Sequence, residues 1–219
     1  MPGAMNKRTK DVAVGSLAVG ATAVCLYLGC GRLGPRVDLN NTNELLGAMT
    51  AEETARLAGG QGRVMVFVRD TGKVKNPWVQ AQLGAFQQTL KKHAGLSLVT
   101  EAIPVSPTLM MAAGGGLPAG PFLKALETNP DLAAVVSFFG FPQLAEAELE
   151  ALKKSGVKTV VVSALRPGYK QLLERQAIQA LIVPRSNAPP PGAPAPRTLR
   201  EHFDQEYTLF TPADAASLP

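Results

Sequence analysis

Five side chains have the chemistry needed to hold a small ligand: Arg69, Asp70, Asn76, Trp78 and Arg166. Arginine donates hydrogen bonds and aspartate accepts them, and an indole ring packs against an apolar ligand face. These residue types therefore predict a small-ligand site. A purely structural explanation stays open as well. In that explanation Asn76 caps a helix, Trp78 packs against a loop, and Arg69 pairs with Asp70 in solvent.

The residue constellations of common enzymes are missing from the sequence. His93 and His202 are the only histidines, and their separation does not match metal-ligand spacing. The only cysteines, Cys25 and Cys30, lie in an apolar N-terminal segment, and no G-x-S-x-G motif occurs. We therefore expect a non-enzymatic protein with no catalytic residues, no metal and no cofactor.

One glycine-rich stretch keeps an enzymatic alternative open. The sequence "GGGLPA" at 114–119 matches the G-x-G-x-x-A dinucleotide fingerprint through Gly114, Gly116 and Ala119. Such a loop can present backbone amides to a phosphate at the start of a helix. This pattern corresponds to an anchored enzyme that uses a nucleotide or another phosphate compound.

The stretch "SFFGF" at 137–141 places three phenylalanines at the end of a predicted strand. They cannot all enter one core if the strand ends near them, so Phe139 and Phe141 are expected at an exposed apolar rim. An exposed apolar rim suits a protein interface. The alternative is that all three rings pack in the core or in a loop.

Strands and helices alternate from residue 63 onward. Short apolar runs such as "RVMVFV" and "LAAVVSFF" are typical of strands buried on both faces, and helical segments of 10 to 15 residues separate them. Helical crossovers between such strands give a mostly parallel sheet. The sequence therefore predicts a three-layer, doubly wound α/β domain with a mostly parallel five-stranded sheet.

The rest of the chain is divided by composition. The 219 residues are 46% apolar and 18% charged, which suffices for one core. We assign residues 1–31 to an anchor or signal, 32–62 to a helical spacer with a Thr50–Glu53 capping box, and 63–185 to the α/β domain. Residues 186–197 form a proline-rich linker, and residues 198–219 form a tail that includes a candidate edge strand.

The N-terminal segment predicts a location. Residues 12–28 carry no charge and follow Lys7, Arg8 and Lys10, so they describe either a spanning helix or a secretory signal. Together with the Leu28-Gly29-Cys30 sequence, the segment resembles a bacterial lipoprotein signal, which implies Cys30 as the lipidated residue. A spanning helix and a lipidated Cys30 both place the body at a membrane, facing the periplasm or cell exterior of a bacterial envelope. The basic residues that flank this segment account for most of the net charge of +5, so we expect no nucleic-acid partner.

The α/β part contains three characteristic segments: the Asn76-Pro77-Trp78 turn, "DLAAVVSFFGF" and "LEALKKSGVKTVVVSAL". In these segments it resembles one lobe of the type I periplasmic sugar-binding protein family. The resemblance implies a ligand cleft at the strand ends and a second lobe that closes over a sugar. In this family the fourth strand often ends in Asp-Arg, whereas this chain has Ser163-Ala164 with Arg166 beyond.

Three functions follow from these observations. The first is a membrane-tethered, non-enzymatic envelope protein that docks a protein partner, or a second copy of itself, through its strand-end rim. The second is a small-ligand binding protein, for a sugar-like or phosphate-containing molecule, whose second lobe comes from dimerisation or a partner. The third is the anchored enzyme with the glycine-rich loop.

Overall fold

A computed structural model describes residues 41–70, 76–104, 108, 113, 116–186 and 195–218. Residues 1–40 lie outside this range, and with them the predicted anchor and Cys30. The helices are α1 Thr42–Leu57, α2 Pro77–Leu90, α3 Ala119–Thr128, α4 Glu146–Ser155, α5 Tyr169–Glu174 and α6 Leu199–Glu206, followed by a 3-10 helix Pro212–Ser217. The strands are β1 Gln61–Asp70, β2 Gly95–Pro104, β3 Leu132–Ser137, β4 Lys158–Val162, β5 Ala180–Pro184 and β6 Tyr207–Phe210.

The strands form one six-stranded sheet in the order β2-β1-β3-β4-β5-β6. The first five strands are parallel, and β6 pairs antiparallel with β5. The predicted α/β fold class is therefore confirmed, and the strand in the C-terminal tail adds a sixth member at the sheet edge. Connections between parallel strands run over both faces, so the fold is doubly wound.

Two apolar layers cover the sheet, one on each face. Consecutive residues of β1 point alternately into the two layers, so Val64 and Val66 face one layer and Met65 and Phe67 face the other. Helices α1, α2 and α6 pack on the first face, and α3, α4, α5 and the 3-10 helix pack on the second. This double burial explains why β1, β3, β4 and β5 contain apolar runs rather than a strict alternation.

Helix α1 begins earlier than the sequence indicates. Asn41 is its N-cap, accepting hydrogen bonds from the N–H groups of residues 43 and 44. The predicted Thr50–Glu53 capping box is wrong because both residues lie inside the helix, where the buried Thr50 hydroxyl donates to the Leu46 carbonyl. The helix ends before Gly59 and Gly60, which have positive φ angles that are typical of residues after a helix end.

The segment that we expected to be a spacer thus contributes a helix to the core. Leu45, Ala51 and Ala55 of α1 are buried in the layer that also contains Phe86 of α2. At the other end of the domain, Thr198 caps α6, its side-chain oxygen accepting a hydrogen bond from the N–H of Glu201. None of the described helices is long and apolar enough to cross a membrane.

Candidate strand-end site

The candidate site lies at the carboxyl edge of the parallel strands, where open α/β sheets bind ligands. The strand order reverses between β1 and β3, so the loops after these two strands diverge and leave room between them. Arg69 and Asp70 close β1, Asn76 and Trp78 start α2, and Arg166 follows β4. All five predicted ligand residues therefore lie on loops or element ends at this edge.

Asn76 has a structural task in its helix. Its side-chain oxygen accepts hydrogen bonds from the N–H of Trp78 at 2.9 Å and of Val79 at 3.5 Å. With proline at the first helical position, this is a strong helix start. Trp78, one residue after the proline, is largely exposed, with 68% of its surface accessible.

The crevice between β1 and β3 contains an arginine stacked on an aromatic ring. The guanidinium of Arg69 lies over the ring of Phe139, with 5.4 Å between the guanidinium carbon and the ring centroid. This cation–π contact fixes the Arg69 side chain at the strand end. Arg69 and Asp70 are exposed, and both have interactions within the molecule.

The prediction that Phe139 and Phe141 form an exposed rim is wrong. Only 5% of Phe139 and 9% of Phe141 is exposed, and Phe141 packs edge-on against Phe122 with 5.9 Å between ring centroids. Phe138 turns to the opposite layer and meets Phe86 edge-on at 5.7 Å. A single core could not accommodate all three rings. Each face of the sheet has its own apolar layer, however, and the rings are divided between the two layers.

A cavity of about 300 Å³ opens next to these rings, between the loops after β3 and β4. We call it the strand-end pocket. Its walls come from the β3–α4 loop, the first turns of α4 and the β4–α5 loop together with α5. The lining residues are Ala113, Phe141, Pro142, Gln143, Leu144, Leu149, Arg166, Pro167, Gly168, Tyr169, Gln171, Leu172 and Arg175.

A tight turn at Gly140 shapes the inner wall of the strand-end pocket. Gly140 has a φ of +98°, and a Cβ there would lie 3.2 Å from the Tyr169 hydroxyl oxygen and 3.5 Å from the Ser163 Oγ. The next residue, Phe141, donates its N–H to the Tyr169 hydroxyl at 3.4 Å. Glycine is therefore required at this turn, which sets Phe141 against the start of α5.

Two arginines give the strand-end pocket its charge. Arg166 is half-buried and lies beside Gly116, where an added Cβ would come within 3.5 Å of its Nη1 atom. Arg175 is tied by ion pairs to Glu146 and, at 4.0 Å, to Glu150 of α4. The pocket thus combines guanidinium and amide groups with an apolar floor.

The described residues contain no group of three histidine, cysteine or acidic side chains that could hold a metal ion. Of the "GGGLPA" stretch, Gly116 lies beside Phe141 and Arg166 and Ala119 begins α3, while Gly114 is outside the described residues. The preceding strand β2 ends at Pro104, whereas the dinucleotide fingerprint requires a strand directly before the glycines.

Among the predicted residues only Arg166 and Phe141 line the strand-end pocket. Arg69, Asp70, Asn76 and Trp78 belong to the β1 side of the edge. Sequence reasoning missed Gln143, Tyr169, Gln171 and Arg175. The sequence contains one signal for this part of the pocket. A tyrosine directly follows a Pro-Gly turn in the loop after β4, at the point where a helix begins.

The chain is similar in structure to sugar-binding proteins. AraP, an arabinose-binding protein from Geobacillus stearothermophilus, has a TM-score of 0.53 and 16% identity over 81% of this chain and 63% of its own. A solute-binding protein of an ABC transporter from Burkholderia graminis, in complex with D-arabinose, has a TM-score of 0.51 and 17% identity over 80% and 61%. A periplasmic solute-binding protein from Actinobacillus succinogenes with bound D-allose has a TM-score of 0.51 and 12% identity over 80% and 62%.

These similarities confirm the predicted resemblance at the level of the fold. The chain spans about three fifths of the length of these neighbours, which are named as solute-binding proteins and not as enzymes. No protein-family model matches the sequence, and no curated protein sequence matches it.

Proposed function

We propose that this chain is a non-enzymatic binding protein for a sugar-like small molecule, held in the strand-end pocket. The observation that carries the proposal is the composition of that pocket, whose lining includes Phe141, Arg166 and two glutamines, Gln143 and Gln171. The fold similarity to arabinose- and allose-binding proteins supports the same ligand class.

The lining matches the surface of a sugar. Hydroxyl groups both donate and accept hydrogen bonds, and the amides of Gln143 and Gln171 can do the same. Arg166 adds a rigid set of donors, while Leu149 and Leu172 offer apolar surface to the C–H face of a sugar ring. A volume of about 300 Å³ lies at the lower end of the range for small-molecule sites.

The strand-end pocket is shallow on its outer side, because Gln143, Gln171 and Arg175 are exposed. Small-molecule sites usually cover most of the ligand surface. A bound sugar would therefore need a second surface over it, and we assign that surface to a partner lobe or to a second copy of the chain.

A thermal-shift titration tests the proposal. The full chain is titrated with D-arabinose, D-allose and D-tagatose, the sugars found in the structural neighbours. We expect at least one sugar to stabilise the fold, by about 2.7 kcal/mol at a hundred times its dissociation constant. Arg166→Gln should weaken this binding about tenfold or more, because a charge-assisted hydrogen bond is lost.

Arg63→Gln is the matched control. Arg63 lies at the amino end of β1 and pairs with Asp131 in solvent, at the opposite edge of the sheet. This variant should bind the sugar as the unmodified chain does. If none of the sugars stabilises the chain, or if both variants bind equally well, the strand-end pocket is not a sugar site.

Docking of a protein partner at the same edge is the second candidate function. Trp78 and Leu165, 68% and 41% exposed, are the two large apolar side chains exposed in the described part of the chain. Trp78 lies in the first turn of α2 and Leu165 in the loop after β4, both at the carboxyl edge. If docking is the function, a Trp78→Ser variant should lose a partner that co-purifies from membranes, while Arg166→Gln keeps it. Retention of every partner by both variants would exclude docking through this edge.

The predicted N-terminal segment adds a location to either function. We propose that residues 1–31 hold the domain at a bacterial envelope membrane, facing the periplasm or the exterior. Metabolic labelling with a fatty-acid analogue separates the two forms of anchor. Label that disappears in Cys30→Ala indicates a lipoprotein, membrane association without label indicates a spanning helix, and a fully soluble chain contradicts the location.

A further inference from the structure

The two edges of the sheet are built differently. Strand β6 at one edge has four residues and is followed directly by Thr211 and Pro212. Strand β2 at the other edge has ten residues and pairs only with β1, and no described segment pairs with its other side. A long strand with an open edge presents a row of unpaired N–H and C=O groups that favours addition of another strand.

The side chains of β2 stay partly exposed although they occupy the same rows as buried side chains of β1. Leu98 is in register with Val64, and Val99 with Met65. Val64 and Met65 are fully buried, whereas Leu98 and Val99 are only half-buried. The two strands share both apolar layers, but of these two only β1 has a neighbouring strand on each side among the described residues. A further strand beside β2 would cover these side chains.

A groove of about 580 Å³ runs beside the open edge, between the second half of β2 and helix α3. It contains one acidic and one basic side chain, Glu101 and Lys124, together with apolar surface from Ile103 and Ala125. The groove has one charge of each sign, so the charges of one groove can complement those of an identical groove on a second copy. It does not select a strongly acidic or strongly basic partner. Strand β2 itself carries Glu101 as its only charge, and its only proline is the last residue.

We propose that β2 pairs antiparallel with β2 of a second copy of this chain, giving one continuous sheet across a homodimer. The charge of Glu101 selects the register. An axis through Glu101 would place two carboxylates directly opposite each other, which is unfavourable. An axis through Val99 places each Glu101 opposite Ser97 of the other copy, whose hydroxyl can donate to the carboxylate.

This dimer is independent of the proposed sugar site. The strand-end pocket lies between the loops after β3 and β4, so β2 pairing leaves it unchanged. Loss of the dimer and loss of sugar binding are therefore separate results.

The test is sedimentation velocity of the full chain in mild detergent, with Ser97→Glu as the decisive variant. Ser97 is exposed, so the change should leave the circular dichroism and the melting temperature unaltered. We expect the unmodified chain to dimerise at about 50 µM, and Ser97→Glu to weaken dimerisation about tenfold, because two carboxylate pairs then face each other. Gln80→Glu, at an exposed position on α2, adds the same charge elsewhere and should remain dimeric.

A charge exchange separates pairing in this register from other modes of association. The double variant Ser97→Glu with Glu101→Lys restores opposite charges across the axis and should recover the dimer. A chain that is monomeric at about 50 µM, or a dimer that Ser97→Glu leaves intact, overturns the proposal.

Discussion

At the scale of single residues, Tyr207 shows how the last strand is joined to the core. Its ring is buried at the start of β6 and stacks on Phe203 of α6, with 5.3 Å between ring centroids. Burial raises the pKa of the Tyr207 phenol from 10.0 to about 12, and the negative charge of Glu206 adds to the rise. The folded protein therefore holds this side chain in its neutral form.

This shift predicts a loss of stability in alkaline solution. Below pH 10 the phenol is neutral in both the folded and the unfolded chain, so its contribution to the free energy of unfolding does not change. Between pH 10 and about 12 the unfolded chain loses the proton first, and the free energy of unfolding should fall. Urea unfolding at several pH values measures this decrease.

Tyr207→Phe keeps the aromatic ring but removes the hydroxyl group that ionises. The free energy of unfolding of this variant should therefore decrease less between pH 10 and about 12. An equal decrease in the variant and in the unmodified chain would mean that other groups cause the alkaline destabilisation.

The candidate site shows which residue roles a sequence can reveal. The Asn-Pro pair indicates a helix start, and Asn76 is indeed the cap, because capping depends only on neighbouring backbone groups. The contact between Phe141 and Tyr169 joins a loop to the first residue of α5, 28 positions along the chain, and no local pattern specifies it. The residues that close the strand-end pocket are determined by tertiary packing and appear only in the structure.

At the scale of elements, the contact between α1 and α2 depends on one glycine. A Cβ on Gly47 of α1 would lie 2.0 Å from the backbone carbonyl oxygen of Gln82 in α2. The backbones of the two helices therefore contact each other directly at this point, which is possible because Gly47 has no side chain. Gly84 of α2 is also inside a helix, but a Cβ there meets nothing within 4 Å.

The same substitution at these two glycines should have opposite effects. Gly47→Ala should lower the free energy of unfolding by about 3 kcal/mol, because the helices must separate to admit the methyl group. Gly84→Ala should raise it by about 0.5–1 kcal/mol, because alanine loses less backbone entropy in a helix. Equilibrium denaturation of both variants measures the difference, and a stabilising Gly47→Ala would contradict the close contact.

The order of strands and helices was predictable because β1, β3, β4 and β5 are buried on both faces and each contains an apolar run. The start of α1 was not. Thr50 and Glu53 have the spacing of a capping box, but Thr50 bonds to a carbonyl of its own helix and faces the core. Local spacing suggested a helix start where the tertiary fold buries the middle of a longer helix.

At the scale of the whole molecule, the described domain is one layered body to which the two ends of residues 41–218 both contribute. Helix α1, near the beginning of that range, and helix α6, near its end, contact each other on the same face of the sheet. Met49 of α1 and Phe203 of α6 both line a cavity of about 270 Å³ between them. The fold is therefore completed by elements that are far apart along the chain.

That long-range contact has a consequence during translation. A ribosome adds roughly 5–20 residues per second, and α1 emerges well before α6 has been made. For that interval the flank of α1 that meets α6 has no cover, and the antiparallel strand after α6 does not yet exist. We expect the nascent domain to remain incomplete until α6 and β6 have left the exit tunnel. During that time α1 is accessible to cellular machinery.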